Sequence, residues 1–285
     1  MNRLAIFKAA SCAAAAFLAP AAAFAQSDPA AEENVRDGDY LTVGVGAVYG
    51  PSYDGSDDMV ATPIPMVMGK ISGIVVTPRS GGLGIDLIPD AKDARIGLSA
   101  GPVISYSRNR SRQIKDPVVR AAGKLDDAVE VGGMGGVTAY GLLNPYDGLT
   151  VSGDVRWDVA GAHKGMMWSP SISYFTPLSK GTLVALSVSA RHVDDDYAEY
   201  YYSVTPGQSA ASGLPQFNAK GGWDSAGVSL LGSYDLDNNL LNGGFALFGL
   251  VSYSRMLNDG KDTPYTSLRG DADQWLFGAG VGYTF

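Results

Sequence analysis

From residue 40 to the last residue, the chain is written in segments of about ten residues in which apolar side chains take every second place. In "LTVSGDVRWDVA", residues 149–160, Leu149, Val151, Gly153, Val155, Trp157 and Val159 share one face. Thr150, Ser152, Asp154, Arg156 and Asp158 share the other. Strict period two marks a strand with one apolar and one polar side. Strands are expected at 40–49, 59–69, 71–77, 82–88, 95–107, 128–142, 149–159, 166–176, 182–192, 223–234, 243–256 and 274–285. Glycine and proline interrupt the helical periodicities between them.

The connections divide by length. The three long ones, 108–127, 193–222 and 257–273, fall on the same side of the strand order, and tight turns such as 177–181 dominate the other. A β-sandwich explains alternation but not this asymmetry. A transmembrane antiparallel up-and-down β-barrel of about 12 strands explains both. After the first 25 residues there is no run of 18 apolar residues, so a spanning helix is excluded.

The final segment, "QWLFGAGVGYTF", carries Trp275, Phe277, Ala279, Val281, Tyr283 and Phe285 on one face. Chain ends ordinarily fray. In a barrel the last strand pairs with the first, and such a stripe faces hydrocarbon, with aromatics at the two interfaces. Tyr283 and Phe285 also resemble the C-terminal signal read by the outer-membrane barrel-insertion machinery.

The amino end, "MNRLAIFKAASCAAAAFLAPAAAFAQS", has basic Arg3 and Lys8, an alanine-rich run and then Ala23-Phe24-Ala25. This is the pattern of a secretory signal peptide over residues 1–25, cut between Ala25 and Gln26. The only cysteine, Cys12, leaves with it, so the mature chain has no internal disulfide. Removing Arg3 and Lys8 makes the net charge of −8 more negative still, which argues against a nucleic-acid partner. Residues 26–38 are polar and acidic and are expected to form a flexible periplasmic arm, with the barrel over 39–285.

Several groups of residues then suggest a family. Gly44-Val45-Gly46 is followed by Pro51, Tyr53, Gly55, Ser56 and Asp57, then Pro63-Ile64-Pro65. Tyr200-Tyr201-Tyr202-Ser203-Val204 precedes Ser212-Gly213-Leu214-Pro215 and Gly221-Gly222. Arg255-Met256-Leu257 and Asp262-Thr263-Pro264 lead to Gln274, Gly280, Tyr283 and Phe285. In order and spacing these resemble the MipA/OmpV family, named for an MltA-interacting protein. Thr263 and Tyr201 depart mildly from its usual serine and phenylalanine. The resemblance implies an integral barrel of the cell outer membrane. For the founding member it implies a scaffold joining a murein hydrolase (a lytic transglycosylase) to a murein synthase.

Signs of catalysis are weak. The two histidines, His163 and His192, sit at expected loop edges, where solvation is the default, and no His-x-Ser pair exists. No cofactor is expected, and the protein is read as non-enzymatic. Asp194-Asp195-Asp196 with Glu199 is either a solvated loop or a divalent-cation site bridging lipid phosphates. Loop 108–127 is basic through Arg108, Arg110, Arg112, Lys115, Arg120 and Lys124. Arg108, Arg110 and Arg112 are candidate contacts for lipopolysaccharide phosphates, with plain solvation the alternative. Asp154, Arg156 and Asp158 are candidate lumen charges that either tune solute passage or brace a narrow interior. Besides a scaffold, two other roles stay open. One is a passive diffusion channel. The other is an adhesin working through Tyr197, Tyr200, Tyr201, Tyr202 and Phe217 in loop 193–222.

Overall fold

The computed structural model describes residues 34–91 and 94–285. The signal peptide, the Ala25–Gln26 cleavage site and the arm up to residue 33 lie outside the described residues. Twelve strands form one closed antiparallel barrel in which neighbours in sequence are neighbours in space. They are β1 (Tyr40–Pro51), β2 (Met59–Ile71), β3 (Ile74–Arg79), β4 (Gly82–Asp86), β5 (Ile96–Ser107), β6 (Ala128–Tyr140), β7 (Gly148–Asp158), β8 (Met166–Ser179), β9 (Thr182–Val193), β10 (Gly222–Asp235), β11 (Gly244–Met256) and β12 (Asp273–Thr284).

Closure is made by β1 and β12, paired from Thr42↔Thr284 to Tyr49↔Phe277. Along this seam most of the inward residues are glycine or threonine. A Cβ added to Gly46 would lie 2.5 Å from the Ala279 carbonyl oxygen, so the two backbones approach closely only because no side chain stands between them. Thr42 and Thr284 bond to each other across the seam at 2.8 Å.

Outward positions are apolar and exposed: Val45 is 67% exposed, while the inward Thr42 of the same strand is 2% exposed. The same outward stripe runs through Trp275, Phe277, Val281 and Phe285 on β12 and through Val151 and Trp157 on β7. Each such side chain left in water forfeits about 1.5–3 kcal/mol of burial. A whole girdle of them is therefore stable only against an apolar medium. Among the described residues no helix is long and apolar enough to cross a membrane; the strands do so instead. Tyr283 stacks edge-on against Phe245 at 4.8 Å and Phe285 at 4.6 Å, forming one of the aromatic clusters at the short-turn end.

Short turns close one end. Ser72 and Gly73, both with positive φ, make a two-residue hairpin between β2 and β3. The arm was expected to be free, but residues 34–38 are tied to this end. Val35–Asp37 forms a 3-10 turn, the Val35 N–H donates to the Leu241 carbonyl at 2.8 Å, and Lys70 Nζ donates to the Arg36 carbonyl at 2.7 Å.

The long loops carry five short helices that alternation alone did not suggest: α1 (Pro117–Ala121), α2 (Asp195–Tyr202), α3 (Pro206–Ser212), α4 (Asn258–Asp262) and α5 (Pro264–Ser267). Local capping makes them possible. Asp194 accepts from the Tyr197 N–H, and Thr205 with Gln208 forms a reciprocal capping box.

Candidate functional site

Four loops meet over the mouth of the barrel at the long-loop end, around two apolar cores. Tyr197, Ala198, Tyr201, Tyr202, Ala219, Met167, Val193 and Met256 form the first. Tyr53, Ile114, Val119, Ala122, Val204, Leu214 and Tyr265 form the second. The second core draws residues from loops 52–58, 108–127, 194–221 and 257–272 at once, so none of these loops packs alone. The tyrosines considered for adhesion are therefore interior: Tyr197, Tyr201 and Tyr202 are buried, while Tyr200 and Phe217 are half-buried beside them. Burial raises the phenol pKa values of Tyr197, Tyr201 and Tyr202, keeping them neutral.

Polar bonds lock the loops together. Arg110, expected at the surface against lipid phosphates, is 1% exposed. Its Nη1 donates to the Tyr201 carbonyl at 2.9 Å and its guanidinium lies 3.9 Å over the Tyr265 ring. It is a strut between loops, and it cannot reach a lipid. Arg108 and Arg112 are exposed, and Arg112 is paired with Asp127 at 2.6 Å. Asp116 receives both Nε and Nη2 of Arg269 from the neighbouring loop, at 3.0 and 2.7 Å. The first of the three aspartates after Val193 is likewise structural: Asp194 caps α2 and accepts from the Met166 N–H at 2.7 Å. Among the described residues no group of histidine, cysteine, aspartate and glutamate is arranged to hold a metal ion.

Beneath the loops lies a belt of buried charge. Arg156, inward on β7, reaches Asp154 at 2.8 Å, Ser105 at 2.8 Å and Glu130 at 3.4 Å. Glu130 also receives the Ser105 hydroxyl at 2.6 Å and lies 3.3 Å from His163 Nε2. His163 was expected to be solvated, but its side chain is fully buried against Tyr197 and Tyr201. On the other side of the mouth, Arg191 joins Asp224, Asp54 and Tyr202. Of the three candidate lumen charges, Asp154 and Arg156 are brought together. Asp158 instead accepts from the Ala160 and Lys164 N–H groups and shapes the turn into β8. Glu130, Arg191 and Asp224 complete the belt and were not singled out from sequence.

Below the belt the lumen has two unlike walls. Hydroxyl pairs such as Ser152–Ser171 and Ser229–Ser252, each at 2.9 Å, line β7 to β11. The inward places of β1, β2, β11 and β12 hold Val48, Ile64, Met66, Met68, Phe248 and Leu276 among glycines.

These features define a transmembrane β-barrel whose long-loop mouth is filled by its own loops above a ring of paired charges. The chain belongs to the MipA family: the model described as MltA-interacting protein MipA matches residues 43–285. No curated protein matches the chain. Among solved structures it is similar to an outer membrane channel from Pseudomonas putida, at 13% identity over 91% of this chain and 100% of that one, with a TM-score of 0.45. It is also similar to the toluene transporter TodX of Pseudomonas putida, at 10% identity over 87% and 89% of the two chains, with a TM-score of 0.38.

Proposed function

We propose that this protein is a non-enzymatic, axially closed barrel of the outer membrane, exported through its signal peptide, that serves as a structural and scaffolding component of the envelope. The observation that carries this is the shared loop core over the mouth, braced by Arg191, Asp54 and Asp224. A diffusion channel needs a continuous aqueous path, and four interlocked loops occupy the place where that path would leave the barrel. The family supports a partner concerned with murein, a lytic transglycosylase or a murein synthase, met at the short-turn end where residues 34–38 are pinned.

The test has two arms. In planar bilayers the reconstituted protein is expected to give no stable single-channel steps, and steady conductance would refute the closed barrel. Affinity capture from envelopes with tagged mature protein is expected to recover a murein hydrolase or synthase. A capture free of both would refute the scaffold.

A further inference from the structure

The barrel wall is not uniformly sealed. β1 and β2 pair through twelve consecutive positions, Tyr40↔Lys70 to Pro51↔Met59. On its other edge β2 pairs with β3 at only three, Gly69, Lys70 and Ile71. Residues 59–68 therefore run without a ladder partner on the β3 side. Two prolines account for this. The ladder to β1 passes unbroken through Pro63 and Pro65, so their nitrogens, which carry no hydrogen, face β3. Two donors are missing from that edge by chemistry.

A comparable break between β4 and the lower half of β5 is stitched shut. The Ala100 N–H donates to Asp86 Oδ1 at 3.0 Å, the Leu87 N–H to the Ala100 carbonyl at 3.0 Å, and the Leu98 N–H to Asp90 Oδ1 at 3.1 Å. Within hydrocarbon, backbone without a ladder is tolerated only where it lines a cavity or is covered by protein.

Both sides of the free edge are suited to one kind of molecule. Inside, Ile64 points to the lumen yet is 39% exposed. Met66 folds over Gly44 and Gly282, where an added Cβ would stand 3.0 and 3.1 Å from its methyl group. Outside, a groove of about 630 Å³ at the upper end of the edge is lined by Tyr49, Met59, Ala61, Ile114, Lys115 and Arg120. Lys115 donates to the Met59 carbonyl. Among the described residues neither Lys115 nor Arg120 is held in an ion pair. An apolar groove beneath two cations free of ion pairs, beside an edge whose inner face carries Ile64, Met66 and Met68, is complementary to an amphiphile with one acyl chain and an anionic head.

We propose that the seam between β2 and β3 is a lateral portal through which a single-chain carboxylate amphiphile passes from the bilayer to the apolar wall of the lumen, its head held by Lys115 and Arg120. The route is sideways, so it coexists with a closed outer mouth and stands or falls apart from the scaffold.

A photoactivatable laurate in vesicles containing the protein tests this, with the cross-linked residues mapped by mass spectrometry. Labelling is expected on Ile64, Met66 and Met68, and excess unlabelled laurate is expected to suppress it. The variant Lys115→Gln/Arg120→Gln is expected to lower it roughly fivefold, the effect of losing about one solvent-exposed ion pair. Pro63→Thr/Pro65→Thr returns two N–H donors to the edge and is expected to lower it as well. The lysine and arginine lie on the loop surface, so that pair remains informative even if the proline variant misfolds. Labelling spread over outward residues such as Val45 and Val281, with none inside, overturns the portal. Equal lumen labelling by an uncharged dodecanol analogue overturns the role given to the cations.

Discussion

Arg191 holds Asp224 by two prongs, Nε to Oδ1 at 2.9 Å and Nη2 to Oδ2 at 2.7 Å, and the same Nη2 reaches Asp54 at 2.7 Å. Asp224 belongs to the neighbouring strand, whereas Asp54 belongs to the loop between β1 and β2. One guanidinium thus ties the wall of the barrel to its lid. Arg191→Met leaves Asp224, which is 3% exposed, without its counter-charge. The expected loss of stability is about 3–5 kcal/mol, together with a loosened mouth. Thermal melting of the heat-modifiable gel band measures the first, and the appearance of single-channel steps in bilayers the second. Asp54→Ala removes only the more exposed arm and is expected to cost about 1 kcal/mol or less.

Arg156 is the hub of the second charged group, and its removal takes the guanidinium from two largely buried carboxylates, Asp154 and Glu130. Arg156→Met is expected to destabilise the barrel by about 3–5 kcal/mol. The double variant Arg156→Met/Glu130→Gln is expected to recover part of that loss, because the more buried of the two is neutralised. A double-mutant cycle on melting temperature checks the sign of the coupling.

Acid should release loop 108–127 before the barrel itself opens. The hydroxyls of Ser111 and Tyr106 and the Arg112 guanidinium hold Asp127 down to about 2, from an ordinary value of 3.8. For Asp116, burial works in the opposite direction, but bonds from Arg269 and from the Val119 and Val118 N–H groups outweigh it and lower its pKa. A depressed carboxylate stabilises the fold above its unfolded value and loses that contribution as pH falls through its folded value. The Asp127 latch is thus expected to hold at pH 4 and above and to fail on approach to pH 2, and the Asp116 latch to be lost only below the ordinary carboxylate range. Pepsin digestion across that window, read by peptide mapping, should show cleavage within 108–127 only at the acid end. Uniform cleavage at both ends would contradict it.

Closure of the barrel should be sensitive to bulk at Gly46. A valine there has no space against the Ala279 carbonyl, so Gly46→Val is expected to separate β1 from β12 and abolish the heat-resistant folded band. Gly249→Val is the control: a Cβ at Gly249 meets nothing within 4 Å, and folding should be unaffected.

The strands were legible because their pattern is set by two media, lipid outside and polar groups inside, which act on every second residue whatever the long-range contacts. Hence Asp154 and Arg156 could be assigned to the interior from parity alone. The lid was not legible in the same way. Glu130, Arg156 and His163 come from two strands and a loop, and Arg191, Asp224 and Asp54 are as scattered, so nothing local marks them as partners. His163 was assigned to solvent because loop edges usually are solvated, and the packing of Tyr197 and Tyr201 over it reversed that. Arg110 failed for the same reason. The helices of the lid did leave a trace: Asp194 ahead of an aromatic run, and Thr205-Pro206-Gly207-Gln208, which has the spacing of a capping box.

Because loops 52–58, 108–127, 194–221 and 257–272 have a common core, no single one of them is a free module that can be exchanged or lengthened at will. Foreign epitopes grafted into Tyr200–Val204 would dislodge the other three loops. Gly207, on the exposed start of α3 with open space around its Cα, can instead carry a cysteine and a label attached to it, leaving the Thr205–Gln208 cap and its neighbours in place. Surface labelling of this scaffold therefore has a natural address, and antibodies raised against linear peptides of the tyrosine run would find their target hidden on intact cells.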